Sequence, residues 1–239
     1  MQINYFKFSI RKCNFEVVIQ KTKKMKKIAV VLSGNGFYDG AEIQETTLTM
    51  LAIARQGAEY QCFAPDINQA HVINHLTGEE MSEIRNVLVE AARITRGEIK
   101  PLSEYKASDY DALVFPGGFG AAKNLCTFAF DGTDFNVIPE VENAIRETVS
   151  AEKPIGALCI SPVIFAKILG DVKVTIGQDE GTLQAIEEMG GFHEKTNHGE
   201  IIVDEKYKLI TTPCYMLDST IDQIATGAEN AVKKVLELA

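Results

Sequence analysis

Apolar residues fall along this chain in short unbroken runs, separated by amphipathic stretches. Lys26–Ser33, Glu59–Ala64, Asp111–Phe115 and Pro154–Cys159 are four runs of strand length. Lys173–Ile176 predicts a fifth strand. Glu200–Thr212, with Asp204-Glu205-Lys206 at its centre, alternates like a hairpin. Helical periodicity predicts Gly40–Gln56, Ser82–Thr95, Pro139–Ala151, Pro162–Leu169, Thr182–Met189 and Asp218–Leu238. In Ser82–Thr95 one face collects Ile84, Val87, Leu88, Ala91 and Ala92. Residues 66–81 and 131–136 show no period and read as loops. Apolar strands alternating with helices predict a mostly parallel sheet covered on both faces. Ligands in such folds bind beyond the carboxyl ends of the strands. That places Gly34–Glu45, Pro116–Asn124, Cys159–Pro162 and Gly177–Glu180 at the candidate edge.

Composition narrows the class. The 239 residues are 46% hydrophobic and 24% charged, enough for a core without metals or disulfides. A net charge of −9 argues against a phosphate backbone as the main partner. No apolar run reaches the roughly 18 to 20 residues of a membrane span. The charge is uneven: residues 1–24 carry +5 and the remainder −14. This basic leader lacks an apolar signal core. Ile3–Ile10 and Asn14–Ile19 read as two short strands in an N-terminal extension, or Met25 is the true start. The composition also suits an organellar address. Cys13, Cys62, Cys126, Cys159 and Cys214 form an odd, widely spaced set with no CxxC. They read as reduced thiols, and the expectation is a cytoplasmic protein.

Three segments at the candidate edge carry chemistry. Gly34-Asn-Gly36-Phe-Tyr-Asp-Gly40 approaches a dinucleotide fingerprint. Asp39, Glu42 and Glu45 crowd the following helix N-terminus, however, and would repel a pyrophosphate. Asp39 as N-cap with Glu42 three residues on resembles a capping box. Pro116-Gly-Gly-Phe-Gly120 ends a strand, where backbone N–H groups can receive an oxyanion. Cys159 stands at a strand-to-helix elbow, with Ser161 suited to the cap and Pro162 to the first helical turn. Free N–H groups there, including that of Ile160, favour a thiolate and lower its pKa. An inert core cysteine is the alternative. His71 and His75 lack a third ligand, so no metal is expected. His193 and His198 lie in a polar stretch and read as solvated.

VLSGNGFYDGAEIQE, CFAPD, VINHLTGE, FPGGFGAAKNL, the Cys-Ile-Ser-Pro elbow, KVTIGQD and ITTPCYML resemble the ThiJ/PfpI superfamily. Within it they are most similar to the ElbB-type, isoprenoid-biosynthesis glyoxalase-like branch, over residues 25–239. The resemblance implies a flavodoxin-like three-layer sandwich related to class I glutamine amidotransferases. It implies Cys159 as nucleophile, Glu45 as its hydrogen-bonding carboxylate, and Gly118 and Ile160 as backbone oxyanion donors. Gly177 stands where many members carry a histidine, and Ile160 where other branches do. The implied activity is a cofactor-independent glyoxalase, a lyase turning glyoxal or methylglyoxal into the 2-hydroxy acid. Without the histidine, turnover should be slow. A non-enzymatic redox or electrophile sensor is the alternative, and an amidase is disfavoured. A homodimer acting on a small dicarbonyl, with no nucleic acid or membrane partner, completes the expectation.

Overall fold

The computed structural model describes residues 25–239. The strand pair expected at Ile3–Ile10 and Asn14–Ile19, and Cys13 between them, lie outside those residues. Strand β1 (Lys27–Val31) leads to helix α1 (Ile43–Arg55), β2 (Glu59–Ala64), α2 (Val87–Ile94) and β3 (Ile99–Pro101). Then come β4 (Ala112–Phe115), the short helices α3 (Phe119–Lys123) and α4 (Phe128–Asp131), α5 (Pro139–Ser150) and β5 (Ile155–Leu158). Helix α6 (Pro162–Leu169), β6 (Lys173–Val174), α7 (Glu180–Glu188), β7 (Phe192–His193), β8 (Ile202–Asp204), β9 (Leu209–Thr212) and α8 (Ile221–Leu238) complete the order.

Seven strands form one sheet in the order β3-β2-β1-β4-β5-β9-β8. All its pairings are parallel except that of β8 with β9. This is an α/β, flavodoxin-like sandwich with an antiparallel edge strand. Successive side chains of β1 serve opposite cores. Ala29 and Val31 pack with Phe115, Ile145 and Phe165, under α5 and α6. Ile28 and Val30 pack with Ile53, Val114, Ile224 and Val232, under α1 and α8. Burial on both faces explains why these strands read as unbroken apolar runs. From β1 the sheet grows outward through β2 and β3. The chain then returns to set β4 against the other side of β1. That reversal opens a crevice at the carboxyl ends of β1 and β4. Among the described residues no helix is long and apolar enough to cross a membrane.

Four local expectations need correction. Helix α1 begins at Ile43 rather than Gly40, and Glu42, not Asp39, is its N-cap, accepting from the Glu45 N–H at 2.6 Å. Asp39 is buried and accepts instead from the Ile73 N–H at 2.6 Å. Helix α2 begins at Val87, because the Asn86 side chain caps it by accepting from the Val89 N–H. Ile84 therefore lies outside the helix and is 82% exposed. The expected fifth strand is only Lys173–Val174 and pairs with β7 in a separate two-stranded sheet. The fifth long strand is instead β9, the second arm of the hairpin that the sequence predicts.

Candidate active site

Cys159 ends β5 where the chain turns into α6, with a left-handed backbone at φ +60°. Sheet pairing reaches it, its N–H donating to the Thr212 carbonyl at 3.0 Å. A non-glycine residue in this conformation costs on the order of 1–3 kcal/mol, a strain often found at functional sites. Ser161 occupies the N-cap position, as expected, but caps nothing. Its hydroxyl donates to the Pro116 carbonyl at 2.8 Å and ties the elbow to the turn after β4. In that turn Gly118 has φ +99°, and a Cβ there would strike Gly40 and Glu42 backbone atoms. The N–H groups of Gly118 and Ile160 lie near the Cys159 sulfur and favour its ionised form.

Glu45, in the first turn of α1, is fully buried beside that sulfur. Its Oε2 accepts from the Gly117 N–H at 2.9 Å and its Oε1 from the Tyr215 N–H at 3.1 Å. Burial outweighs these bonds and pushes the carboxyl up to about 7. The thiol is also pushed up, first by burial and then by the Glu45 charge, against the N–H groups of Gly118 and Ile160. The expected thiolate, favoured by the helix end, is thus corrected: a dry site and a neighbouring carboxylate outweigh two donors. The two groups titrate as a pair. Once Glu45 has lost its proton, its charge makes the thiol harder still to ionise, so a carboxylate beside a thiol is the form these shifts favour above neutral pH. Alkylation of Cys159 by iodoacetamide should therefore gain rate only above the roughly 8.5 of a free thiol. Glu45→Gln, which removes the neighbouring charge, should move that rise to lower pH. Identical profiles in both proteins would show that the groups titrate independently.

Cys159 forms part of the floor of a cavity of about 720 Å³ in the crevice. Phe37, Phe119, Phe128, Ile160 and Met216 supply apolar wall, and Glu42, Gln44, Asp179, Thr182 and Tyr215 supply polar groups. The four expected edge segments all contribute to this region, Gly177–Glu180 through Asp179. The loop after β9, which holds the TTPCYML motif, joins them although it is not among the four expected edge segments. Tyr215 fixes Glu45 with its backbone and bonds Gln44 with its hydroxyl. Cys214, buried with φ +44°, belongs to the same core face as Cys159.

The remaining candidates stand apart. Cys62 and Cys126 are buried thiols, each pushed up to about 12 chiefly by burial. His71 packs edge-on to Phe130, and the exposed His75 ring accepts from the Tyr38 N–H at 3.3 Å. His193 is half-buried rather than solvated: Nε2 accepts from the Ile176 N–H at 3.1 Å, and burial pushes its pKa down. His198 is exposed and bonds Ser219. Gly177 has no room for an imidazole, since a Cβ there would meet Leu217 at 2.9 Å and Pro213 at 3.0 Å. The N–H groups that a pyrophosphate would need at α1 are partly taken by the Glu42 side chain.

No family model matches the chain. It is 47% identical over 222 residues to human "glutamine amidotransferase-like class 1 domain-containing protein 3, mitochondrial", covering 89% of this chain and 83% of the relative. It is 46% identical over 222 residues to rat "ES1 protein homolog, mitochondrial", covering 89% and 84%. A crystal structure of an Ehrlichia chaffeensis isoprenoid biosynthesis protein with an amidotransferase-like domain superposes with a TM-score of 0.84. Its identity is 36%, over 89% of this chain and 99% of that one. Glyoxalase III from Candida albicans shares the fold, with a TM-score of 0.58 and 15% identity over 90% and 97% of the two chains. The expected cytoplasmic location is overturned by the relatives, whose names place them in mitochondria. Reduced thiols mark a reducing compartment and do not say which.

Proposed function

Because this chain belongs to the ES1-type, class I glutamine amidotransferase-like family, we propose that it is a cofactor-independent, glyoxalase-like enzyme. Cys159 and Glu45 would carry the reaction, with Gly118 and Ile160 as backbone donors. The observation that carries this reading is Glu45: a fully buried carboxyl pushed up to about 7, held beside the thiol across Gly117. A group that both holds and releases a proton at neutral pH suits a reaction that moves one between adjacent carbons.

In this scheme the Cys159 sulfur bonds to one aldehyde carbon of glyoxal. The thiol proton, passed through Glu45, ends on the carbonyl oxygen and gives a hemithioacetal. Glu45 carboxylate then removes the C–H proton from that carbon, the hydroxyl proton passes to the second carbonyl oxygen by way of the enediol, and Glu45 returns the first proton to the neighbouring carbon, leaving the thioester of glycolate. Water cleaves the thioester, releasing glycolate and regenerating the thiol. The steps need no external oxidant or reductant. The N–H groups of Gly118 and Ile160 can stabilise the oxyanion of either addition. Glu45 acts as both base and acid, with no histidine to assist, so turnover should be slow.

Glyoxal loss and glycolate formation test this directly. Cys159→Ser should lower the rate at least 100-fold, since a serine hydroxyl beside a carboxyl near 7 is scarcely ionised. Equal rates for the two proteins would remove the proposal. A second reading has one observation in its favour: among the described residues no histidine lines the cavity. A thiol without that base suits a redox or electrophile sensor. Rapid peroxide oxidation of Cys159, read by intact mass without glyoxal turnover, would favour it.

A further inference from the structure

Glyoxal has two carbons and two oxygens, and it would fill a small part of the cavity above Cys159. About 720 Å³ lies in the range of pockets that enclose drug-sized ligands. Two of its aromatic walls are unusually open: Phe37 is 40% and Phe119 is 49% exposed. Phe128 and Met216 complete an apolar surface on the approach to the thiol. Large exposed side chains at a pocket mouth contribute little to folding and offer stacking surface to a ligand.

The charges are one-sided. Glu42 and Asp179 line the cavity, and no Lys, Arg or His does so among the described residues. Both acids also serve as helix caps. Glu42 accepts from the Glu45 N–H and Asp179 from the Thr182 N–H at 2.8 Å. Lys123 reaches the ring of Phe119, but its ammonium donates to the Tyr38 carbonyl at 2.9 Å. The Cys159–Glu45 pair beneath adds negative charge once one of its protons has left. An incoming carboxylate or phosphate would therefore meet like charge in a partly dry site with no counter-ion.

We propose that the site admits to Cys159 an uncharged carbonyl compound bearing an aromatic or branched apolar group, and excludes anions. This deepens the glyoxalase-like reading by naming a substrate class: an aryl- or branched-alkyl-substituted 2-oxoaldehyde, not a phosphorylated or carboxylated one.

Haloacetyl probes test the pocket independently of turnover. The full chain is alkylated with iodoacetamide, iodoacetate and N-benzyl iodoacetamide, and each rate at Cys159 is divided by the same reagent's rate with N-acetylcysteine. The benzyl reagent should be favoured at least 10-fold over iodoacetamide, and iodoacetate disfavoured at least 10-fold. Phe119→Ala with Phe128→Ala should remove the first preference. Glu42→Gln with Asp179→Asn, which keeps a capping side chain at 179, should relax the second. Equal normalised rates would overturn the proposal. So would a Phe37→Ala, Phe119→Ala variant that changes mass in sedimentation while keeping the wild-type preferences, since the mouth would then be an interface between copies. Turnover separates the two readings. Phenylglyoxal consumed with a higher kcat/KM than glyoxal supports both. Glyoxal turnover with no aryl preference overturns the substrate class alone. Selective alkylation with no turnover of either aldehyde overturns the glyoxalase-like reading alone.

Discussion

Replacing Gly117 by alanine should abolish activity and cost about 3 kcal/mol of stability, the upper range for forcing extra atoms into a packed site. A Cβ at this position would overlap the Cys159 Cβ. It would also come within 2.8 Å of the sulfur and 2.6 Å of Glu45 Oε2. Neither neighbour can yield cheaply. Cys159 is held by its bond to Thr212 and by a left-handed backbone. Glu45 is held by two N–H groups, one of them from Gly117 itself. The methyl would thus part the two groups whose contact the chemistry needs, and glycolate formation should fall at least 100-fold. Urea denaturation and the glyoxal assay measure the two effects. A second substitution identifies the cause. Cys159→Gly removes the colliding Cβ and suits φ +60°, so Gly117→Ala with Cys159→Gly should recover most of the stability and none of the activity. If Gly117→Ala alone keeps wild-type stability and rate, this packing account is wrong.

How far the sequence announces such a site depends on whether the determinant is local. The elbow is local: a strand-forming run stops at Cys159, and Pro162 can only begin a helix. The turn after β4 is local too, because Pro116-Gly117-Gly118 interrupts an apolar run. The hairpin at β8 and β9 follows from alternation around Asp204-Glu205-Lys206. Determinants that arise across the fold were not visible. Ser161 has the residue type of a cap, but a carbonyl brought up from β4 takes its hydroxyl. Asp39 has the same credentials and is diverted to the Ile73 N–H. Ile84 fits the period of α2, yet Asn86 starts the helix later. Tyr215 acts through its backbone N–H, which every residue but proline has, so its side chain gave no sign. The direction of the Cys159 shift was misread for a related reason. Helix-end N–H groups can be read from sequence, whereas the burial that outweighs them exists only once α1, β4 and β5 are assembled.

Glu45 should make this protein less stable as pH rises, and Glu45→Gln should remove that dependence. In the unfolded chain a glutamate releases its proton near 4.5, whereas in the fold Glu45 holds it to about 7. Between those values the folded state binds a proton that the unfolded state has lost, so stability falls with each pH unit. The contribution is intact below about 4.5 and is lost as pH passes 7. A shift of that size amounts to about 3 kcal/mol. Glu42 is also raised by burial and shifts stability in the same sense, but it is present in both proteins and cancels in the comparison. Glutamine is an imperfect copy of the protonated acid. Its amide group would face either the Gly117 or the Tyr215 N–H, donor against donor, at a cost of about 1–3 kcal/mol. The two stability curves should therefore converge or cross: the variant weaker at pH 5, and equal to or stronger than wild type at pH 8. Urea midpoints at pH 5, 6, 7 and 8 would show this, below the range where unfolded thiols ionise. Parallel curves would mean that Glu45 is charged in the fold across this whole range. It could not then carry a proton to the Cys159 sulfur or to a substrate carbon at neutral pH, and the catalytic role proposed for it would fail with the stability prediction.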